Sequence, residues 1–439
     1  MRRSLGWALL LCAHVAAADP RSAGIRVHSF PHGPTVLLAP DSLAGAAHLG
    51  VWYEAGSRND PRGAAGLAYV QDRGALAPAA DARRVLESAG AAFDRAVTPD
   101  VSSISVSLPS EQLGGAIDML AATVAAPAIN DAALRDAIAG ARAEREWRLA
   151  QSPMLAGIEQ VCATLFQGHG YALPPSGTDE QLAAIGPEVA RQDLATRFAP
   201  AKALITITGR FDTDAVMRRL QARFGEPGPA AEPAKRPTPE FGSIAPRVNA
   251  GEAALPLSVV MAGWRLPPDR DPDAPALEVL SRLLAGGASP LAGRDLVADK
   301  GTFVQVQGNF ERRADACMMV LAAAVEGMID TAQVEAKLAD EVERWGKQPV
   351  TAADLEPAQR SVEAELLLRA QSPDGRAEGL ATAQIVDGDW RAWEQRLARV
   401  RALTPADIQR AAARSLLPSR RTMVWMAPAP APANDGGQR

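Results

Sequence analysis

The sequence predicts an α+β fold built as two tandem homologous α/β domains with antiparallel sheets. Three observations lead there. At 439 residues the chain is too long for one small core. Strand-like and helix-like segments arrive in blocks rather than in strict alternation, which disfavours a doubly wound parallel sheet. The chain also repeats itself once. Gln151-Ser152-Pro153 recurs as Gln371-Ser372-Pro373, each after a charged, Leu/Ala-rich helical stretch. Ile185-Gly186-Pro187-Glu188-Val189 aligns with Leu403-Thr404-Pro405-Ala406-Asp407, and the same frame carries Phe198-Ala199-Pro200 onto Leu416-Leu417-Pro418. Copies of this size are too long for solenoid repeats.

The elements follow in order. Arg2 and Arg3 precede the short apolar run Trp7 to Ala13, and Ala16-Ala17-Ala18 offers small residues for cleavage. Residues 1–18 therefore read as a signal peptide, and the run is too short to span a membrane comfortably. Cys12 follows the bulky Leu11, which disfavours lipid attachment there. An N-terminal domain is expected over 19–225. Thr35 to Leu38 and Ala47 to Tyr53 read as strands around a Pro40-Asp41-Ser42 turn. Val101 to Leu108 alternates Ser with Ile and Val, the pattern of a half-buried strand. Gln112 to Ala125 and Ala132 to Ala150 read as helices, the second capped by Asn130 or Asp131. Pro187 and Pro405 each stand where a helix can start, and Leu204 to Thr208 and Thr422 to Met426 are the following strands. A Pro-rich linker is expected over 226–246, a C-terminal domain over 247–427, and a disordered tail over 428–439.

Composition narrows the function. Lys and Arg number 46 against 51 Asp and Glu, so nothing favours nucleic acid. After the signal no stretch is long enough to cross a membrane; the purest apolar run, Ala316 to Val325, stops at Glu326. Cys162 and Cys317 lie in different halves. A bridge between them is open in an oxidising compartment, but two buried free thiols are the favoured reading. Five histidines are few for a metalloenzyme of this size. His14 leaves with the signal, His28 and His32 flank Pro31 in a turn, His48 lies in a strand and His169 in a glycine loop. No nucleophile elbow or phosphate loop is present.

Gly56-Ser57-Arg58, followed by Gly66-Leu67-Ala68-Tyr69-Val70-Gln71-Asp72-Arg73, resembles the start of the insulinase/pitrilysin zinc-peptidase family, which includes mitochondrial processing peptidase. The family pattern there is G-S-R, then G-L-A-H-x-x-E-H. Ala89 to Asp94 with Asp100, Leu108-Pro109, Pro127, Phe166 to Thr178 and Gly209 to Asp212 resemble further family stretches in the family's order. The resemblance implies two homologous domains per module and an inverted zinc motif on a helix, where two His bind metal and the Glu activates water.

That chemistry is missing here. Tyr69 stands for the first His, Asp72 for the Glu and Arg73 for the second His. Tyrosine is a poor neutral ligand, and arginine keeps its proton and repels a dication. The family's further Glu falls at Glu144 or Glu146, which also suit a salt-bridged helix face with Arg148. The family's carbonyl-binding Arg and Tyr in the second domain fall at Val297 and Val304, which cannot donate. No catalytic residue, metal ligand or cofactor is therefore expected in this chain. The resemblance implies a non-catalytic subunit, periplasmic or secreted, paired with a zinc-bearing homologous subunit around a peptide. Two alternatives stay open: a stand-alone peptide-binding protein, and an active metallopeptidase with an unrecognised site. For peptide binding, the candidate is an edge strand at Gly90, Ala91, Ala92, Phe93 and Asp94, since the family adds substrate to a sheet edge.

Overall fold

The computed structural model describes residues 24–76, 79–228, 238–285, 296–297, 302–326, 330–348 and 350–429. The signal peptide, linker residues 229–237 and the tail beyond 429 lie outside the described residues.

The first half begins with β1 (Arg26–Ser29), β2 (Thr35–Pro40) and β3 (Ala47–Tyr53). After α1 (Leu67–Ala75) and α2 (Ala80–Ser88) come β4 (Ala92–Val97) and β5 (Ser102–Leu108). Then follow α3 (Leu113–Ala125), α4 (Asp131–Gln151), α5 (Met154–Leu165), α6 (Asp179–Ala183), α7 (Pro187–Arg197), β6 (Ala203–Gly209) and α8 (Thr213–Phe224). The sheet order is β1-β2-β6-β3-β5-β4.

The second half runs β7 (Arg247–Ala253), β8 (Ser258–Arg265), α9 (Ala274–Ala285), β9 (Phe303–Glu311), β10 (Met318–Val325) and α10 (Thr331–Glu343). It ends with α11 (Ala352–Gln371), α12 (Pro373–Val386), α13 (Arg391–Arg401), α14 (Pro405–Ser415) and β11 (Arg421–Pro428). Its sheet order is β7-β11-β8-β10-β9. The pairings are antiparallel except β2 with β6 and β7 with β11, one parallel pair at the same place in each sheet.

The repeated prolines hold equivalent positions. Pro187 and Pro405 open α7 and α14 at the first helical residue, where a missing N–H costs nothing. Pro200 and Pro418 each open one turn of 3-10 helix before β6 and β11. Pro153 and Pro373 each stand at the start of the helix after a long one. Asn130, not Asp131, caps α4, its side chain accepting from Ala133 N at 2.8 Å.

Each half lends a helix to the other. α5, from the first half, lies on the second sheet: Val161 and Leu165 pack with Met261, Met318, Val424 and Met426. α12, from the second half, lies on the first sheet: Leu380 and Ala381 pack with Leu37, Trp52 and Leu204. The chain therefore holds its halves together through two buried layers as well as through the linker. β5 corrects the half-buried expectation. Six of its seven residues are buried, Ser102, Ser103 and Ser105 included. Cys162 and Cys317 are separate buried thiols.

Candidate functional site

α1 starts at a tight turn. Gly66 has φ 91°, and a Cβ there would meet the Ser176 carbonyl at 2.7 Å, so only glycine suits the position. The helix has no side-chain cap of its own. Asp60 takes that role, accepting from Gly66 N at 2.8 Å and Ala68 N at 3.0 Å, with Arg197 behind it at 2.9 Å. Burial nevertheless lifts the Asp60 carboxyl to about 6, against the pull of Arg197 and the two N–H groups.

α1 then packs across α4, and four of the sequence-predicted residues meet. The Arg73 guanidinium donates to Tyr69 Oη at 2.8 Å, to Asp72 Oδ2 at 2.9 Å and to Glu144 Oε2 at 2.9 Å. It also lies over the Tyr69 ring, 4.0 Å from the centroid. Arg148 grips the other Glu144 oxygen at 2.6 Å. The geometry decides between the two glutamates: Glu144 faces the cluster, while Glu146 is exposed. Asp72 is fully buried. Arg95 on β4 approaches its Oδ2 at 3.3 Å, and its Oδ1 has no hydrogen-bond partner. Burial therefore pushes Asp72 up to about 6, although Arg95 and Arg73 pull it down. Burial also lifts the Tyr69 phenol to about 12. For Glu144, burial is outweighed by bonds from Tyr69 and Arg73 and by the arginine charges, and it sits below the usual carboxylate range.

Zinc does not fit this arrangement. Tyr69 Oη, Asp72 Oδ2 and Glu144 Oε2 are bonded to a guanidinium, which carries its own fixed positive charge. No group of three or more His, Cys, Asp or Glu suited to a metal ion occurs among the described residues. Val297 and Val304 belong to the other half, are 39% and 46% exposed, and bring no polar group to the cluster.

Gly90 and Ala91 lead into β4, and Ala92, Phe93 and Asp94 are its first three residues. Among the described residues β4 pairs only with β5, so its other side is there an open sheet edge. The cluster and this edge adjoin, because Arg95 of β4 reaches Asp72.

A second polar group escaped the sequence reading. Arg58 and Tyr171 both bond Asp100, Tyr171 at 2.5 Å. Asp100 Oδ2 in turn accepts from Ala314 N at 3.1 Å, in the other half. Asp315 adds a contact to Arg58 at 3.5 Å and to His169 at 3.3 Å. The G-S-R, Asp100 and Gly-His-Gly-Tyr segments that carried the family resemblance thus meet in one clasp between the halves. Their separation in sequence hid that they touch.

The two-domain α+β fold that carries this cluster is that of a peptidase family. Residues 35–179 match the family described as insulinase (peptidase family M16), and residues 187–362 match the one described as peptidase M16 inactive domain. The chain belongs to the insulinase, or M16, peptidase family. It is 23% identical over 413 residues to a protein named as an uncharacterised zinc protease of Mycobacterium leprae, covering 91% of each chain. It is similar to the crystal structure of a protease from Helicobacter pylori, with TM-score 0.81, 19% identity and coverage of 92% of this chain and 99% of that one. A structure of a peptidase M16 inactive domain from Pseudomonas fluorescens aligns with TM-score 0.77, 18% identity, and 93% and 98% coverage. Among the described residues no helix is long and apolar enough to cross a membrane.

Proposed function

We propose that this chain is a non-catalytic M16 subunit of the periplasm that pairs with a zinc-bearing homologue to enclose peptides. The observation that carries the reading is Arg73, whose guanidinium holds Tyr69, Asp72 and Glu144 where the family frame asks for a metal. Zinc then belongs to the partner, and this chain contributes half of the peptide chamber. The open edge of β4 offers main-chain groups to an extended peptide. Export rests on the N-terminal segment 1–18.

The test is affinity purification of the tagged chain from its own cells, with elemental analysis and a peptide-cleavage assay. The expected result is co-purification of a homologue with an intact H-x-x-E-H motif. Cleavage and zinc should follow the pair and be absent from the isolated chain. About one tightly held zinc and cleavage by the chain alone would show an active metallopeptidase. Peptide binding without any homologous partner would show a stand-alone binding protein. Restoring Tyr69→His, Asp72→Glu and Arg73→His together should not confer cleavage, because Val297 and Val304 still offer no donor.

A further inference from the structure

Both halves join two helices through an arginine and a glutamate. Arg73 of α1 bonds Glu144 of α4 at 2.9 Å, and Arg282 of α9 bonds Glu365 of α11 at 2.5 Å. Counting back from each arginine, Glu278 stands where Tyr69 stands and Ser281 where Asp72 stands. In the first half the phenol and both carboxylates close on Arg73. The second half cannot repeat this. Ser281 offers no carboxylate, and Glu278 is drawn away to Arg396 of α13 at 2.5 Å. A cavity of about 300 Å3, walled by α9, β9, α11 and α13, adjoins Arg282 instead.

Around this cavity the donors outnumber the acceptors. Arg282, Arg312, Arg369 and Arg396 line it against two carboxylates, Glu278 and Glu365. A guanidinium carries five N–H donors and no acceptor. Among the described residues Arg282 makes one hydrogen bond, and Arg312 makes two, both to the buried Asp269. Arg369 makes none; Glu365 and Glu378 approach it only to 3.5 and 3.7 Å. Arg396 is 5% exposed and bonds Glu278, with Asp269 at 3.5 Å, yet its Nε is buried without a partner. Arg369 is exposed and can turn to water. Arg396 has no such outlet, and buried donors are ordinarily bonded. Phe310 of β9 and Trp393 of α13 add aromatic faces to the wall. The missing group is an anionic acceptor on an apolar body, and a carboxylate matches the planar fork of a guanidinium.

We infer that this cavity binds a carboxylate on an apolar or aromatic stem, from the C-terminus or an acidic side chain of a peptide or from a free organic acid. Every residue involved belongs to this chain. The site therefore stands or falls separately from the pairing with a homologue and from the edge of β4.

The test is calorimetric titration of the full chain at low salt with four probes. These are acetyl-alanyl-phenylalanine with a free C-terminus, its C-terminal amide, the amide with glutamate in place of phenylalanine, and phenylpropionate. At least one of the three carboxylates should bind about tenfold or more tighter than the phenylalanine amide, as charge-assisted hydrogen bonds to arginine require. Ser281→Leu puts an apolar side chain into the cavity, suits a helix, and should abolish that binding. Arg369→Gln breaks no hydrogen bond within the chain, should weaken binding about fivefold, and serves if the first variant does not fold. Preference for the free phenylalanine peptide assigns a C-terminus, for the glutamate peptide a side chain, and for phenylpropionate alone a free acid. Equal titration of the carboxylates and the amide, no titration by any probe, or full affinity in a folded variant would overturn the inference. So would displacement of all binding by millimolar sulfate, which marks an inorganic anion site.

Discussion

Two buried aspartates, Asp72 in α1 and Asp269 in the loop before α9, behave oppositely. Asp72 in the first half receives one arginine bond, leaves one oxygen unpaired, and is pushed up to about 6 by burial. Asp269 in the second half is gripped on both oxygens by Arg312, with Arg396 at 3.5 Å. Burial would raise it too, but the charge and paired bonds of Arg312 win, and it stays below the usual carboxylate range. Above these carboxylates the halves agree. Arg73–Glu144–Arg148 joins α1 to α4, and Arg282–Glu365–Arg369 joins α9 to α11 in the same way. The shared triad is a helix clamp that either half can use. The half-satisfied Asp72 has no such structural excuse. It stands in α1, at the position where the sequence resemblance expected a Glu.

The largest effect should come from Asp269→Asn. It leaves Arg312 and the buried Arg396 without their shared anion, and breaking a buried pair of this kind costs ~3–5 kcal/mol. Urea unfolding at pH 8 measures it; a loss below ~1 kcal/mol would remove the contrast with Asp72.

Acid stability offers a third buried group for comparison. His48 lies 4% exposed on the far face of the first sheet, and burial lowers it to about 4, against the pull of Asp374 and Asp94. The unfolded chain takes up that proton near 6.5, the folded chain only near 4. Stability should therefore fall as pH drops through this window, by up to ~3 kcal/mol from this group. His48→Gln should flatten that limb in a series of thermal midpoints; an unchanged slope would show that His48 is not the group responsible.

Asp72 has the opposite sign. Its folded-state value of about 6 lies above the ordinary carboxylate range. Between about 4 and 6 the folded chain keeps a proton that the unfolded chain has lost, so ionisation at higher pH costs the folded state stability. Asp72→Asn should raise stability by ~1–3 kcal/mol at pH 8, and the gain should fade between pH 6 and 4. Destabilisation at pH 8 would mean that Asp72 is as well paired as Asp269.

Much of this was legible in the residues, for physical reasons. Proline at a first helical turn located α7 and α14 without tertiary information. The i, i+4 spacing of Tyr69 and Arg73 put them on one helix face. Glu144 could not be separated from Glu146, because only the approach of α1 across α4 distinguishes them. Asn130 over Asp131 was likewise a matter of one hydrogen bond. The exchange of α5 and α12 was invisible, since an apolar helix face does not say which sheet it covers. Arg58, Asp100, Tyr171 and Asp315 were too far apart in sequence for their clasp to be read.

The smallest effect should fall on the feature the halves share. Glu144 and Glu365 have side chains 29% and 43% exposed, and each holds two arginines at the surface of a helix pair. Such pairs are screened by water, so Glu144→Gln and Glu365→Gln should each cost no more than ~1 kcal/mol. The two losses should be nearly equal and should shrink in 1 M salt. Their sum should match the double variant within ~0.5 kcal/mol, since the sites share no partner. The one expected asymmetry is at Arg73. Freed from Glu144, its guanidinium can turn fully to Asp72, so Glu144→Gln should lower the Asp72 value, seen as a downward shift of the pH window in which Asp72→Asn stabilises. Among the described residues no buried carboxylate bonds Arg282, the partner of Glu365, and no such shift should follow there. A large and unequal loss would show that the first-half triad still carries a role that the second-half copy never had.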